Sequence, residues 1–262
     1  MSQHATAGAP AAPSPPPSRR PALLGPAAAV LLAAALAPAL PATAWDVDPR
    51  MSRSTFEEFH RRLATSVYAY PRHGAAPLGL VGFDVYADLT ADDSFADEPF
   101  ADEALDGDLE GDLLLVGRVG ARKGLPGGID LGASYAVALG GDLELVSGEL
   151  QWAWIDGGLV TPSLALRVTA TRTLDAGVYD LDQYGAELLL SKGFAVVTPY
   201  VGAGAAYSEG TLDAVGGERF EADDTRFIAY AGITVSLLIP KITLEVEQGD
   251  ELTGALRVAF GF

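Results

Sequence analysis

Three patterns of apolar and polar positions follow one another along the chain. Residues 21–40 form a nearly unbroken apolar run, rich in Ala and Leu, behind Arg19–Arg20 and ahead of Pro41-Ala42-Thr43-Ala44. A positive flank, an apolar core and a small-x-small site in that order make a signal peptide, so residues 1–44 are expected to be removed, leaving Trp45 as the mature start. Pro26 and Pro38 and the high alanine content weigh against a membrane anchor. The paired arginines also leave twin-arginine export open. Over 51–65 the period is helical: Phe56, Phe59 and Leu63 share one face, and Ser54 and Glu57 have capping-box spacing. The segment 45–77 is expected to lie on the periplasmic side. After Pro71 and Pro77 the period changes to two and stays there to the end.

That third pattern predicts an all-β unit over 78–262. Ten strands are read at 78–89, 112–122, 129–138, 143–155, 159–172, 181–192, 195–207, 224–238, 241–248 and 253–262, punctuated by Gly, Pro and Asp. No helix is expected after residue 66. The first connection (about 90–111), the fifth (173–180) and the seventh (208–223) are long and polar. The second (Lys123 to Gly128), fourth (156–158), sixth (around Gly193) and eighth (Ile239-Pro240) are tight. Every long connection is odd-numbered, which matches an antiparallel up-and-down transmembrane barrel with short periplasmic turns and longer outside loops.

Alternation assigns the two faces. Leu256, Val258, Phe260 and Phe262 oppose Ala255, Arg257, Ala259 and Gly261, and the other strands repeat this contrast of an uncharged aliphatic face with a face of Gly, Thr, Ser and charges. A soluble barrel would bury the first face. The aromatics favour a membrane: Phe83, Trp152, Trp154, Phe260 and Phe262 fall toward one rim, and Tyr135, Tyr184, Tyr207 and Phe227 toward the other. The same parity sends Asp84, Asp130, Glu149, Glu187, Glu245 and Glu247 into the lumen with Arg118, Arg122, Arg167, Arg226, Lys241 and Arg257. Charges confined in a narrow barrel must pair, so each base should have a carboxylate in reach and the lumen should be closed by ion pairs. About ten strands enclose little beyond side chains, since open aqueous channels are typical of roughly sixteen. A polar conduit for small solutes is the alternative.

Charge and composition narrow the function. Removing 1–44 leaves 15 basic and 35 acidic residues, about −20, a surface that repels nucleic acid. The absence of Cys excludes disulfides and thiolate metal sites. His4 leaves with the signal, and His60 and His73 precede the first strand, so no imidazole base stands at a rim or on the lipid face and an enzyme is not expected. Gly202-Ala203-Gly204 lies in a strand with no helix after it, which fits small inward residues better than a phosphate loop. The first long connection carries Asp92, Asp93, Asp97, Glu98, Asp102, Glu103, Asp106, Asp108, Glu110 and Asp112 with no base among them. It reads as a solvated, self-repelling loop, with divalent cations as candidate ligands. No cofactor is implied.

Resemblance adds two points. The ending Gly254-Ala255-Leu256-Arg257-Val258-Ala259-Phe260-Gly261-Phe262 resembles the terminal assembly signal of bacterial outer-membrane barrels, which implies the barrel-assembly machinery as a partner in biogenesis. Pro77-Leu78-Gly79-Leu80-Val81-Gly82-Phe83-Asp84, 124–132, Ser191-Lys192-Gly193-Phe194 and Pro199-Tyr200-Val201-Gly202 resemble motifs of a family of small proteobacterial outer-membrane proteins of unassigned function. The resemblance implies an outer-membrane barrel surrounded by lipid and lipopolysaccharide, and it carries no activity. Three roles remain: a closed structural or surface-interaction barrel, a narrow pore gated by helix 51–65, and a soluble secreted barrel that binds an apolar ligand.

Overall fold

The computed structural model of the chain describes residues 45–107, 113–158, 160–174, 177–237, 240–249 and 252–261. The signal-peptide reading of 1–44, the terminal Phe262, and Asp108, Glu110 and Asp112 lie outside them. The barrel consists of β2 (Phe83–Asp92), β4 (Leu114–Leu125), β5 (Ile129–Ala138), β6 (Glu144–Ile155), β7 (Ser163–Thr173), β8 (Tyr179–Ser191), β9 (Val197–Asp213), β10 (Arg219–Ser236), β11 (Pro240–Gln248) and β12 (Leu252–Gly261). These ten strands form a closed antiparallel ring. β12 returns to β2 in a register running from Gly254↔Ala91 to Gly261↔Asp84. An even number of up-and-down strands lets the first and last pair antiparallel, which removes both sheet edges.

The faces are inverted relative to a soluble barrel. Val85, Val119, Leu188 and Phe260 on the outside are 52–54% exposed, whereas the inward Arg122, Asp130, Arg167 and Glu187 are at most 4% exposed. Strands with an apolar outer face, joined by their backbones in a closed ring, satisfy what a hydrocarbon layer demands. The chain is a membrane-spanning barrel of the outer-membrane type. Phe83, Trp152, Trp154 and Phe260 are exposed toward the tight-turn end, and Tyr135, Tyr184 and Phe227 toward the long-loop end, with Tyr207 half-buried.

Several strand ends differ from the sequence reading. β2 begins at Phe83, not 78, because Pro77 and Gly79 (φ +74°) turn the chain over the barrel end. β4 runs three residues further, to Leu125. β7 starts at Ser163, so Val160 is exposed in a wider fourth connection rather than on the outer face of a strand. β9 and β10 span 17 and 18 residues. At roughly 3.3 Å per residue they exceed 50 Å, against the roughly 9–11 residues that cross a bilayer. They therefore project past the membrane, and the expected loop 208–223 is mostly strand. Its outward positions, Glu209, Thr211, Glu221 and Asp223, are polar because they face water, and this disguised the alternation.

The largest departure concerns residues 45–82, which do not form a separate periplasmic segment. They thread the barrel. The Trp45 amide donates to the Gly140 carbonyl (2.8 Å) at the long-loop end, and β1 (Asp46–Val47) pairs there with β3 (Leu105–Asp106). Helix α1 (Arg53–Ser66) sits inside this end. Its N-cap is Ser52, not Ser54: the Ser52 hydroxyl accepts from the Thr55 amide, and Glu103 of the first loop accepts the Ser52 amide at 2.7 Å, the part expected of Glu57. Phe56, Phe59 and Leu63 are fully buried and cluster with Phe95, Phe100, Tyr179 and Leu212. Each such side chain contributes about 1.5–3 kcal/mol when removed from water, which a helix beside the barrel would forgo. Residues 67–78 then run down the lumen and leave at the tight-turn end.

The described part of the first long connection, 93–107, is accordingly packed rather than free in solvent. It holds a short helix, α2 (Ala101–Ala104), where none was expected, because Phe95, Phe100, Ala101 and Ala104 close over α1. Bases absent from the loop come from the threaded segment: Arg62 meets Asp92 and Glu98 at 3.7 and 3.3 Å, and Arg50 meets Asp106 at 3.6 Å.

In an outer membrane the long-loop end faces outward. Epitope tags at Asp97 and Gly216 are expected to be reachable on intact cells and a tag at Gly127 is not; the opposite labelling would invert the barrel.

Candidate functional site in the threaded lumen

The parity that makes the outer face apolar turns a second set of residues onto the threaded segment. All twelve residues assigned to the lumen from the sequence point inward: Asp84, Arg118, Arg122, Asp130, Glu149, Arg167, Glu187, Arg226, Lys241, Glu245, Glu247 and Arg257 are buried or half-buried. Arg167 bridges Glu149 (2.6 Å) and Glu187 (2.9 Å), and Arg122 meets Asp130 (3.0 Å) and Glu149 (2.8 Å). Lys241 meets Asp84 at 2.6 Å. Two members escaped the sequence reading. Asp88 has the parity of Asp84 and could have been found. Arg72 belongs to the aperiodic stretch after Pro71, where nothing marks it.

Arg72 is the centre of the arrangement. Its Nη1 donates to Asp88 on β2 (2.9 Å), its Nε and Nη2 to Glu247 on β11 (2.9 and 2.7 Å), and its Nη2 also to Thr90 (2.6 Å). Arg257 on β12 binds the other Asp88 oxygen at 2.7 Å and stacks on Tyr86, its guanidinium 3.7 Å from the ring centre. These contacts straddle the line where the last strand meets the first.

One expectation about pairing needs correction. Arg118 has no carboxylate ion pair among the described residues; its guanidinium donates to Ser134, Ser147 and the Val67 carbonyl (2.9 Å). Arg226 does have a carboxylate in reach, Asp224 of its own strand (3.2 Å). Both arginines also bond to the segment inside the barrel, which supplies further acceptors. Arg226 and Gln183 donate to the Ala64 carbonyl (2.6 and 2.7 Å), Arg167 to Ala69 (2.6 Å), and Arg257 to Pro71 (2.6 Å). The wall thus holds the segment largely by its main chain.

Side chains complete the grip. Tyr68 donates to Glu187, which also accepts from Tyr230 at 2.7 Å, and Tyr200 donates to Glu245 at 2.6 Å. Inward glycines make the room: a Cβ on Gly185 would strike Tyr68, and one on Gly202 would strike the Tyr230 ring. Close packing accounts for the Gly202-Ala203-Gly204 sequence.

The threading also brings an imidazole where none was expected. His60 meets the Tyr179 hydroxyl through Nδ1 (2.9 Å) and the Ser208 hydroxyl through Nε2 (3.1 Å) at the long-loop end. Both His60 and Ser208 are fully buried, so the pair is sealed from any substrate. Burial, and then the Arg226 charge, hold the His60 pKa down at about 4. On the outer surface Leu256, Val258 and Phe260 share the lipid-facing side of β12.

Arg167→Ala is expected to lower stability by about 3–5 kcal/mol in urea unfolding, because Glu149 and Glu187 lose a buried partner, while the exposed Arg219→Ala costs roughly 0–1. Equal, mild losses would mean a wet lumen. For His60 the folded pKa lies below the unfolded value, so its contribution is intact above about pH 6.5 and is lost as pH falls toward 4, up to roughly 3 kcal/mol. Protease sensitivity of α1 should rise over that window, and His60→Gln should flatten the response.

No protein-family model matches the chain, and no curated protein matches it. Solved structures do, at low identity. The N-terminal β-barrel domain of Pseudomonas aeruginosa OprF is 14% identical, with 70% of this chain and 99% of that one covered and a TM-score of 0.35. The KdgM porin is 10% identical, with 70% and 98% covered and a TM-score of 0.35. Ail, the attachment invasion locus protein of Yersinia pestis, solved with the heparin analogue sucrose octasulfate, is 10% identical, with 69% and 97% covered and a TM-score of 0.31. These likenesses bear on the fold alone.

Proposed function

We propose that this outer-membrane barrel is sealed by its own N-terminal segment and acts as a structural or surface-interaction element, not as an open pore. The observation that carries the reading is the grip of Arg118, Arg167, Arg226 and Arg257 on main-chain carbonyls between Ala64 and Pro71. Four guanidinium groups, three buried and that of Arg226 half-buried, would each lose a hydrogen bond if the segment withdrew, and hydrogen bonds to charged groups contribute about 1.5–3 kcal/mol apiece. The sealed state of His60 and Ser208 argues against hydrolytic chemistry at the long-loop end. The surroundings this role requires are lipid and lipopolysaccharide around the apolar belt, and the barrel-assembly machinery during biogenesis. Divalent cations are a weaker proposal for the first loop, because Asp92, Glu98, Glu103 and Asp106 already have partners in the threaded segment.

A second reading is a conduit gated by the segment. Arg118 favours it: the wall carries this cation without a carboxylate partner among the described residues, so an emptied lumen would be hydrated and charged. Planar-bilayer recording separates the two. The refolded chain is expected to show no steady conductance, and Arg72→Ala is expected to show intermittent opening. Steady conductance of the unaltered chain would replace the sealed reading with the conduit.

A further inference from the structure

β10 outruns its neighbour on one side. It pairs with β9 from Arg219 to Val235, but with β11 only from Ala229 to Ser236. Residues 219–228 therefore have a second edge that no strand among the described residues covers. At roughly 3.3 Å per residue this open edge is about 30 Å long, and it rises from the outer aromatic rim at Phe227 into water.

The ladder fixes which backbone groups the edge offers. The Ala214 amide donates to the Glu218 carbonyl and the Ser236 amide to the Val196 carbonyl, so even-numbered residues of β10 turn their backbone groups to β9. The Leu237 amide donates the other way, to the Pro240 carbonyl. The register to β9 is unbroken, so Arg219, Glu221, Asp223, Thr225 and Phe227 turn theirs to the open side. Their amides and carbonyls have no partner there among the described residues. Their side chains are exposed, whereas the inner face of the strand is covered at Phe220 by Phe56 and Arg53 of α1. The helix supports the strand from inside and leaves its edge free.

An open edge is a template for a further strand, and its charges decide which one. Residues 208–227 hold six acids against two bases. Arg219 is engaged by Asp213 and Thr211, but Glu221 and Asp223 have no ion pair among the described residues. A second copy would set carboxylate against carboxylate along the edge, which destabilises cross-strand pairing; bases opposite them would stabilise it. Phe227, 72% exposed, adds an apolar position to the same row.

We propose that residues 219–228 of β10 capture an extended segment of a partner protein that carries basic residues at alternate positions, adding it as a further strand above the membrane. Main-chain hydrogen bonds supply the affinity, and bases opposite Glu221 and Asp223, with an apolar side chain opposite Phe227, supply the choice of partner. The proposal rests on the surface-interaction reading. Conductance tests the seal and amide exchange tests the edge, so the two fail separately.

The test is backbone amide exchange, read by NMR on the refolded chain in lipid nanodiscs, with the peptide Thr-Val-Thr-Val-Thr-Lys-Thr-Lys-Thr as probe. Without peptide, the amides of Glu221, Asp223 and Thr225 are expected to exchange fast and those of Ala222, Asp224 and Arg226 slowly. The peptide should slow the first set saturably. Glu221→Lys combined with Asp223→Lys should weaken binding by about tenfold. Thr225→Pro removes one free amide and should weaken it by about fivefold, with slow exchange at Ala222 as the check that the β9 ladder persists. A peptide of equal charge with proline at its inner threonines should not bind. Amides left fast by the probe, equal binding of the proline peptide, or unchanged affinity in the lysine variant would overturn the proposal. So would protection without peptide that grows with protein concentration, which would make a second copy the occupant.

Discussion

The interior depends on one buried guanidinium. Arg72 enters the lumen on the threaded segment and meets Asp88 of the first barrel strand and Glu247 beside the last, while Arg257 of the last strand shares Asp88. A charge in such surroundings costs several kcal/mol unless it is paired and its remaining protons are bonded. Here the planar fork spends its donors on two carboxylates and a hydroxyl. Without it, Asp88 would keep only Arg257, and Glu247 would have no ion pair among the described residues. Barrel closure and lumen occupancy are therefore one event: the group that plugs the barrel also stabilises its seam.

The rest of the segment is held differently. Arginines from four strands donate to its carbonyls, a mode that recognises an extended chain more than its side chains. Specificity enters at Tyr68 and at Arg72, and at the inward glycines that leave space for aromatic rings. At the long-loop end the physics changes from polar to apolar. There α1 and the first connection form a small core of Phe56, Phe59, Phe95 and Phe100 that caps the lumen. A polar lumen and an apolar cap make one closed body, which is the basis for reading the protein as a sealed barrel.

The barrel was legible in the sequence because its rule is local. Alternation with period two fixes which side each strand residue faces, so Arg167 and Glu187 could both be assigned to the lumen, though not to each other, without knowing the fold. Strand ends were less legible where the solvent changed: β9 and β10 leave the bilayer, and Glu209 and Asp223 break the apolar outer pattern without ending the strand. The threaded path left no local mark. Residues 67–76 have no period because their surroundings change at each step from one strand to another, and Arg72 gains its meaning only from residues far away in the chain. The same blindness placed His60 out of reach of Ser208, which lies 148 positions further on.

The central claim is that the two ends of residues 45–82 emerge on opposite faces of the barrel. Single cysteines at Asp46 and Val81, both exposed, test it with a membrane-impermeant thiol reagent, since the chain has no cysteine of its own. The account predicts that Asp46→Cys is labelled on intact cells and Val81→Cys only after the outer membrane is permeabilised. Labelling of both positions only after permeabilisation would put the helix on the periplasmic side, empty the lumen and contradict the account.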